Sequence, residues 1–354
     1  MPALFCISSI VFASNKWLLL LPSLLEFSPR RGLAKIPSFL ECTSCSDFGS
    51  FLLEDQLITN LIQMFNWGFL EKGAFFNNTL TTTLPYGGNP ATLRRVNDPN
   101  FTNGQVWEGH RKQWVWESGI GFSVQPIIIS GVYVNNTFYP SSTSGAYSHY
   151  VDYINGRVIF NSPIATNSTV KCEHSVRWIQ IEDGRQPWFQ AMQFGSFRVD
   201  TGHFNQVGSG SYEIMAKNRV QPPVVFIEIG RTSSRGAMIG GGKYMDVDVI
   251  FSIFGEFPSD VGHLRDILRY QEEQRYSLFN MNLIRSQDAF PLDYKNSRVN
   301  NAKMYPTFIA PTGDGGYYWK SFRVKKCHIG NGIIDTKLTT GIVTWEVEVD
   351  FPEI

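Results

Sequence analysis

Apolar and polar positions change their period several times along this chain, and the changes mark its elements. Leu53, Leu57, Leu61, Met64 and Phe65 recur at the spacing of one helical face, with Gly68 near its end, which predicts a helix over about 52–70. Residues 77–112 show neither the helical nor the strand period and are rich in Asn, Thr, Pro and Gly. They are expected to form an extended connector or arm around Tyr86-Gly87-Gly88-Asn89-Pro90, with little core of its own. From 113 to 183 the chain reads as strand almost throughout. Two β runs flank Asn135-Asn136, and a stronger pair, Tyr150–Ile154 and Arg157–Phe160, flanks Asn155-Gly156. Both tolerate the positive φ of a hairpin turn. Val170, Cys172, His174, Val176 and Trp178 then alternate with Lys171, Glu173, Ser175 and Arg177, as in a strand with one buried face.

The second half changes grammar. A strand is predicted from Val224 to Ile229, after Pro222-Pro223, and a glycine-rich loop (Gly236, Gly240, Gly241, Gly242) leads to the next. There Val247, Val249, Phe251 and Ile253 alternate with Asp246, Asp248 and Ser252. A helix is expected after Pro258, with Ser259 as N-cap, Asp260 at its positive end and an apolar stripe of Val261, Leu264, Ile267 and Leu268. A strand near Phe322–Ile329 precedes a last one in which Val343, Trp345, Val347, Val349 and Phe351 alternate with Thr344, Glu346, Glu348 and Asp350. The order β-β-α-β-β signals an α+β layer, a mainly antiparallel sheet with a helix over one face. The expected fold is therefore α+β. Its parts are a leader (1–51), a helix with an extended connector arm (52–112), a small antiparallel β sandwich or barrel (113–185) and an α+β domain (186–354).

The leader stands apart. Its apolar run, Trp17–Leu25, is far shorter than the ~20 residues of a bilayer span. Residues 1–15 lack the basic residues a signal peptide carries before its apolar run. It is expected to be disordered or an upstream extension, and its deletion to leave the melting temperature unchanged; a drop of several degrees would count against this. Five scattered cysteines are too few and too odd in number for a disulfide scaffold. Cys42-Thr43-Ser44-Cys45 has the spacing of half a zinc site with no second half, so unpaired thiols are expected.

Charge narrows the function classes. Thirty-one basic residues balance 31 acidic ones, which argues against binding nucleic acid by phosphate neutralisation. Aromatic residues make up 14% of the chain, a composition that suits large contact surfaces. Catalytic spacing is missing. Gly240-Gly241-Gly242-Lys243 has Ala237 and Tyr244 where a phosphate loop needs Gly and Ser or Thr. Asp246 and Asp248 share a strand face and could bind a cation, but a solvated or subunit-facing edge explains them better. His174 lies on an apolar face beside Cys172 and is expected to be a hydrogen-bonded core residue. No catalytic residue, metal site or cofactor is expected, and no enzyme activity.

The runs Ile129–Val134, Phe138–Pro140 and Tyr150–Phe160, continued by Pro222–Ile229 and Met245–Glu256, resemble virion structural proteins of tailed phages, notably cyanobacterial and other marine ones. The second half resembles the α+β unit of tail-terminator and neck ring proteins, and the likeness covers about 52–354. It implies a tail-terminator-like mixed sheet covered by a helix, in a ring-forming subunit at the head–tail neck or in the tail. Such a protein would be made in the host cytoplasm and reside in the virion. Its partners would be copies of itself and other neck or tail proteins, with no membrane and no specific nucleic-acid contact, DNA passing through the lumen. Gly240, Gly241, Gly242, Tyr86 and Asn89 are the subunit-contact candidates, in the two segments expected to act as arms. The competing class is a carbohydrate- or receptor-binding module of a tail fibre or secreted adhesin, presenting Trp114, Trp116, Tyr147 and Tyr150 as a stacking platform.

Overall fold

A computed structural model describes residues 53–84, 87–185, 221–236, 243–311, 316–330, 332 and 339–351. Within it the predicted first helix is α1, Leu53–Glu71. Leu57, Leu61, Phe65 and Phe69 are buried on the expected face, and Ile58 and Leu70 are buried as well. The helix is thus enclosed on more than one side.

A run of short strands follows: β1 (Phe75–Asn78), β2 (Thr92–Arg95), β3 (Val106–Glu108), β4 (Gly131–Val134), β5 (Thr137–Pro140), β6 (His149–Asp152), β7 (Arg157–Phe160), β8 (Val170–Lys171) and β9 (His174–Arg177). Seven of them form one antiparallel sheet in the order β5-β4-β8-β2-β3-β7-β6, and β1 pairs with β9. The outermost strands, β5 and β6, are not paired with each other, so the sheet is a half-barrel. Its core is Trp107, Trp114, Trp116, Val132, Val158, Phe160, Val170 and Val176, completed by Leu292 from much later in the chain.

Both predicted hairpins form. Asn135 and Asn136, at φ 50° and 67°, make the two-residue β4–β5 turn. The β6–β7 turn is longer than Asn155-Gly156 alone: pairing ends at Asp152 and Arg157, leaving four residues between. The Asp152 carboxylate accepts hydrogen bonds from the Asn155 backbone N–H at 3.0 Å and from its side-chain Nδ2 at 2.7 Å. Gly156, at φ 65°, packs so closely on Arg111 that a Cβ would sit 2.6 Å from its carbonyl oxygen.

The expected connector is corrected here. Residues 92–95 and 106–108 supply β2 and β3, two strands inside the seven-stranded sheet, with Leu93, Val106 and Trp107 buried. Strands of three or four residues between turns are too short to show a period. The predicted 170–178 strand is also interrupted. Its first part, β8, joins the large sheet, while β9 pairs with β1.

The second sheet contains β10 (Gln180–Asp183), β11 (Val224–Gly236), β12 (Lys243–Gly255), β13 (Arg275–Phe279), β14 (Tyr318–Gly330) and β15 (Thr339–Phe351), in the order β10-β11-β12-β15-β14-β13. Of these pairings, only β10–β11 is parallel. β12 and β15 pair without a break from Lys243↔Phe351 to Gly255↔Thr339. Val247, Val249, Phe251, Ile253, Val343, Trp345, Val347 and Val349 are all buried, as the alternation predicts. They pack against α1 and against α2, Pro258–Arg269. The N-cap of α2 is Phe257 rather than Ser259, because Pro258 occupies the first turn, where its missing N–H costs nothing. Val261, Leu264 and Leu268 face the sheet, but Ile267 is exposed. Gly341 lets α2 lie close on β15: a Cβ there would be 2.8 Å from Val261. Two short helices, α3 (Met281–Ser286) and α4 (Tyr305–Ile309), stand between β13 and β14.

The chain divides at 52/53, and residues 53–353 form one unit. The expected boundaries at 112 and 185 do not separate the two sheets, since β10 already belongs to the second and Leu292 to the core of the first.

Two polar residues of α1 fasten it to the second sheet. Asn60 Oδ1 accepts from the Phe279 N–H at 2.8 Å, and its Nδ2 donates to the Phe279 carbonyl at 3.0 Å. Gln56 Oε1 accepts from the Met281 N–H at 2.9 Å. Asn60→Ala is expected to destabilise by roughly 2–3 kcal/mol, because it strands two buried backbone groups. A change below about 0.5 kcal/mol in urea titration would show that water replaces them.

Candidate functional site

Charge in the interior gathers around residues 109–117, which run between the two sheets. Glu108 lies opposite Arg157 in the β3–β7 register, and their side chains meet at 2.8 Å. Arg157 also reaches Asp98 at 3.1 Å, and all three side chains are at most 5% exposed. Gln113, at φ 53°, donates from its N–H to the Ile154 carbonyl and from Nε2 to Glu182 of β10 at 2.5 Å. Lys112 lies close enough to Glu108 and Glu182 to interact with both. A second buried pair is Arg177 with Glu117, at 2.6 Å.

Burial perturbs these groups strongly. Desolvation raises the Glu108 carboxyl, against the pull of Arg157 and Lys112. It lowers the Lys112 ammonium, opposed chiefly by Glu108. It takes His110 down to about 4, helped by Arg111, and Glu182 up to about 7 despite the Gln113 hydrogen bond. The charges face one another, so the cluster acts as a polar staple between the sheets. The Glu182 carboxyl gives it a pH signature. Its folded pKa lies above the unfolded value of about 4.5, so the native state holds the extra proton between the two. The Glu182 contribution to stability is therefore expected to fall as pH rises from about 4.5 through 7, while His110 and His174, held neutral by burial, add stability as pH rises toward 6.5. Glu182→Gln removes the opposing contribution and should make stability rise more steeply with pH than in the parent; the same slope for both proteins in urea titrations from pH 4.5 to 8 would show that Glu182 does not contribute.

His174 is a core residue, as expected. Its Nδ1–H donates to the Cys172 carbonyl at 2.8 Å, Nε2 faces the Asn78 amide at 3.1 Å, and the ring stacks on Trp114 at 4.2 Å. Burial holds it neutral, with a pKa of about 3, and pushes the Cys172 thiol far up. Trp114 and Trp116 are buried, whereas Tyr147 and Tyr150 are half-buried, so these four do not form one surface. Lys295 sits over the Tyr150 ring at 4.8 Å.

Of the subunit-contact candidates, Tyr86, Gly240, Gly241 and Gly242 lie outside the described residues. Asn89 is half-buried and shapes the turn into β2: its Oδ1 accepts from the Ala91 N–H at 2.7 Å and its Nδ2 donates to the Leu80 carbonyl.

Asp246 and Asp248 are on an inner strand, not on an edge. They belong to the sheet face opposite α1 and α2, where Asp246 is paired with Glu348 and Asp248 with Glu346. Cross-strand like charges repel. Cations relieve this: Lys325 reaches Asp246 at 3.3 Å and Glu348 at 3.6 Å, and Arg231 approaches Asp248 at 3.7 Å. His328 hydrogen-bonds Glu346 at 2.9 Å and holds its carboxyl below the usual range. Asp350 extends the row and takes Arg275 and the Ser321 hydroxyl. The glutamates were visible as the polar half of the last strand's alternation. The cations were not, because a bulge at Lys325 shifts β14 out of simple alternation. Among the described residues no group of three or more His, Cys, Asp or Glu is placed to hold a metal, and no helix is long and apolar enough to cross a membrane.

The same sheet is left unfinished at two places. β10 pairs with β11 only at 224–227, and β13 with β14 only at 318–323. Among the described residues, 229–236 of β11 and 325–330 of β14 have no strand beyond them. Exposed apolar side chains lie near the second gap, Ile329 on β14 and Ile342 on β15.

No protein-family model matches the chain, and no curated protein matches it.

Proposed function

We propose that this chain is a structural subunit of a tailed-phage virion, assembling into a ring at the head–tail neck or in the tail. The observation that carries the reading is the two-sided character of the second sheet. One face is covered by α1 and α2, and the other presents Asp246, Asp248, Glu346, Glu348 and Asp350 with cations at their margins. With Lys325, Lys326, Arg323, Arg231 and Arg275 set against these carboxylates the face offers no basic excess to hold phosphate, so DNA can pass it without sticking. The phage-like runs lie in or beside β4–β7, β11 and β12, the strands of the two sheets. The residues with perturbed proton affinity around Glu108 and Lys112 point at one another and are used in joining the sheets.

Cryo-electron microscopy of a virion carrying this gene tests the proposal. The expected result is the chain in a closed ring at the neck or tail. Its presence only in fibre tips, or its absence from the particle, would end the reading.

A further inference from the structure

Among the described residues the second sheet has two half-edges with no strand beyond them, and they are complementary. Among the described residues β11 has no outer neighbour at the end where β15 finishes, since Gly236, Lys243 and Phe351 are level. β14 has none at the opposite end, where Gly330, Ile342 and Ser252 are level. The gaps are thus diagonal corners of one sheet. β11 and β14 run in opposite directions within the sheet, so a second copy in the same orientation would bring its β14 alongside β11 antiparallel.

Side chains on the two gaps match as well. Ile229 packs on the helix-covered core. Thr232 is opposite Val247, and Ile329 is opposite Val343, so both belong to that same face. Ile329 is 37% exposed at the end of that apolar row.

We propose that 325–330 of one protomer pairs with 229–236 of the next, making one continuous sheet with four long strands per copy that closes into a ring. The inference rests on the ring-subunit reading above and specifies its joint. Cys327 is level with Ile229 across β15 and β12, whereas the middle of the β11 gap lies near Thr232 and Ser233. Pairing Thr232 with Cys327 shifts each copy by two residues of register, because the bulge between Ile229 and Thr232 absorbs one, or ~7 Å over four strands spanning ~19 Å. That slope is a strand tilt of about 20°, shallower than the ~35–45° of closed barrels, so closure rests on the ring-subunit reading and the strand pairing on the two edges. Covered by a neighbour, both backbone edges would gain ladder hydrogen bonds, as in strand addition.

A register within one residue of the gap centres, which keeps like faces together, sets Thr232 against Cys327 of the adjacent copy, within the Cβ spacing a disulfide needs. Thr232→Cys in the full-length protein, gently oxidised at high concentration, should therefore give a ladder of covalent multimers linked through positions 232 and 327. Peptide mass spectrometry identifies the link. It should be absent from the parent protein and lost in Thr232→Cys/Cys327→Ser. Ser233→Cys should not form it, because Ser233 is opposite Asp246, on the other face. A ladder ending at one closed species supports pairing and closure together, while chains that lengthen without limit overturn closure. No 232–327 link, from a Thr232→Cys protein that melts like the parent, overturns the pairing whatever its oligomeric state. Multimers seen by light scattering without the link would leave the ring reading standing on another interface.

Discussion

Trp345→Ala is expected to cost about 3–5 kcal/mol of stability, the usual range for removing a large buried aromatic side chain. Glu346→Ala, one residue on, should change it by no more than ~0.5 kcal/mol. The contrast follows from where β15 places them. Trp345 is fully buried, tilted against Phe65 of α1 at 5.7 Å and edge-on to Phe251 of β12 at 4.5 Å. Its indole N–H donates to the Leu268 carbonyl of α2 at 3.1 Å. One side chain therefore ties both helices to the sheet, and its loss opens a cavity where all three meet. Glu346 is on the opposite face, where its exposed carboxylate meets His328 and solvent screens the pair. Urea titrations of both variants decide the matter; equal effects would mean the strand's faces are reversed.

Arg157→Met should be nearly as damaging, at roughly 3–5 kcal/mol, because it leaves charge buried without its partner. Arg157 holds Glu108 and Asp98 together in the interior, and both carboxylates keep their desolvation penalty when it goes. The loss should be largest near neutral pH and smaller toward pH 5. There Glu108, left with Lys112 alone to oppose the upward push of burial, can take up a proton and become neutral. A loss of the same size at both pH values would show that the arginine's packing matters rather than its charge.

The second sheet was legible because its strands are long. Thirteen residues of alternation in β12 and β15 name their own buried face, and α2 shows its stripe through Val261, Leu264 and Leu268. The first sheet was legible only at its hairpins, where Asn135-Asn136 and Asn155-Gly156 carry turn chemistry. β2 and β3 were hidden because short strands gain their stability from neighbours on both sides, which local pattern does not encode. The charged interior was hidden for the same reason. Arg157, Glu108, Lys112 and Glu182 read as ordinary surface charges until register and chain crossing bring them together. On the candidate face the carboxylates followed from alternation, but the gaps at 229–236 and 325–330 depend on where β10 and β13 stop, a property of the assembled sheet.

The hydrogen bonds between Asn60 and Phe279 span 219 residues of sequence, and this sets a schedule for synthesis. Ribosomes add about 5–20 residues per second. Helix α1 thus leaves the ribosome roughly 10–40 s before β13, its fastening point, has been made, and its remaining partner strands β14 and β15 come later still. Its apolar stripe has no native cover until β10, β11 and β12 emerge, and the cover stays incomplete until β15 brings Trp345 against Phe65. The nascent chain is therefore expected to engage a holding chaperone through residues 53–71. Site-specific crosslinking on stalled ribosomes should find that contact at lengths short of β13 and lose it once β15 has emerged; contact that ignores chain length would refute the schedule.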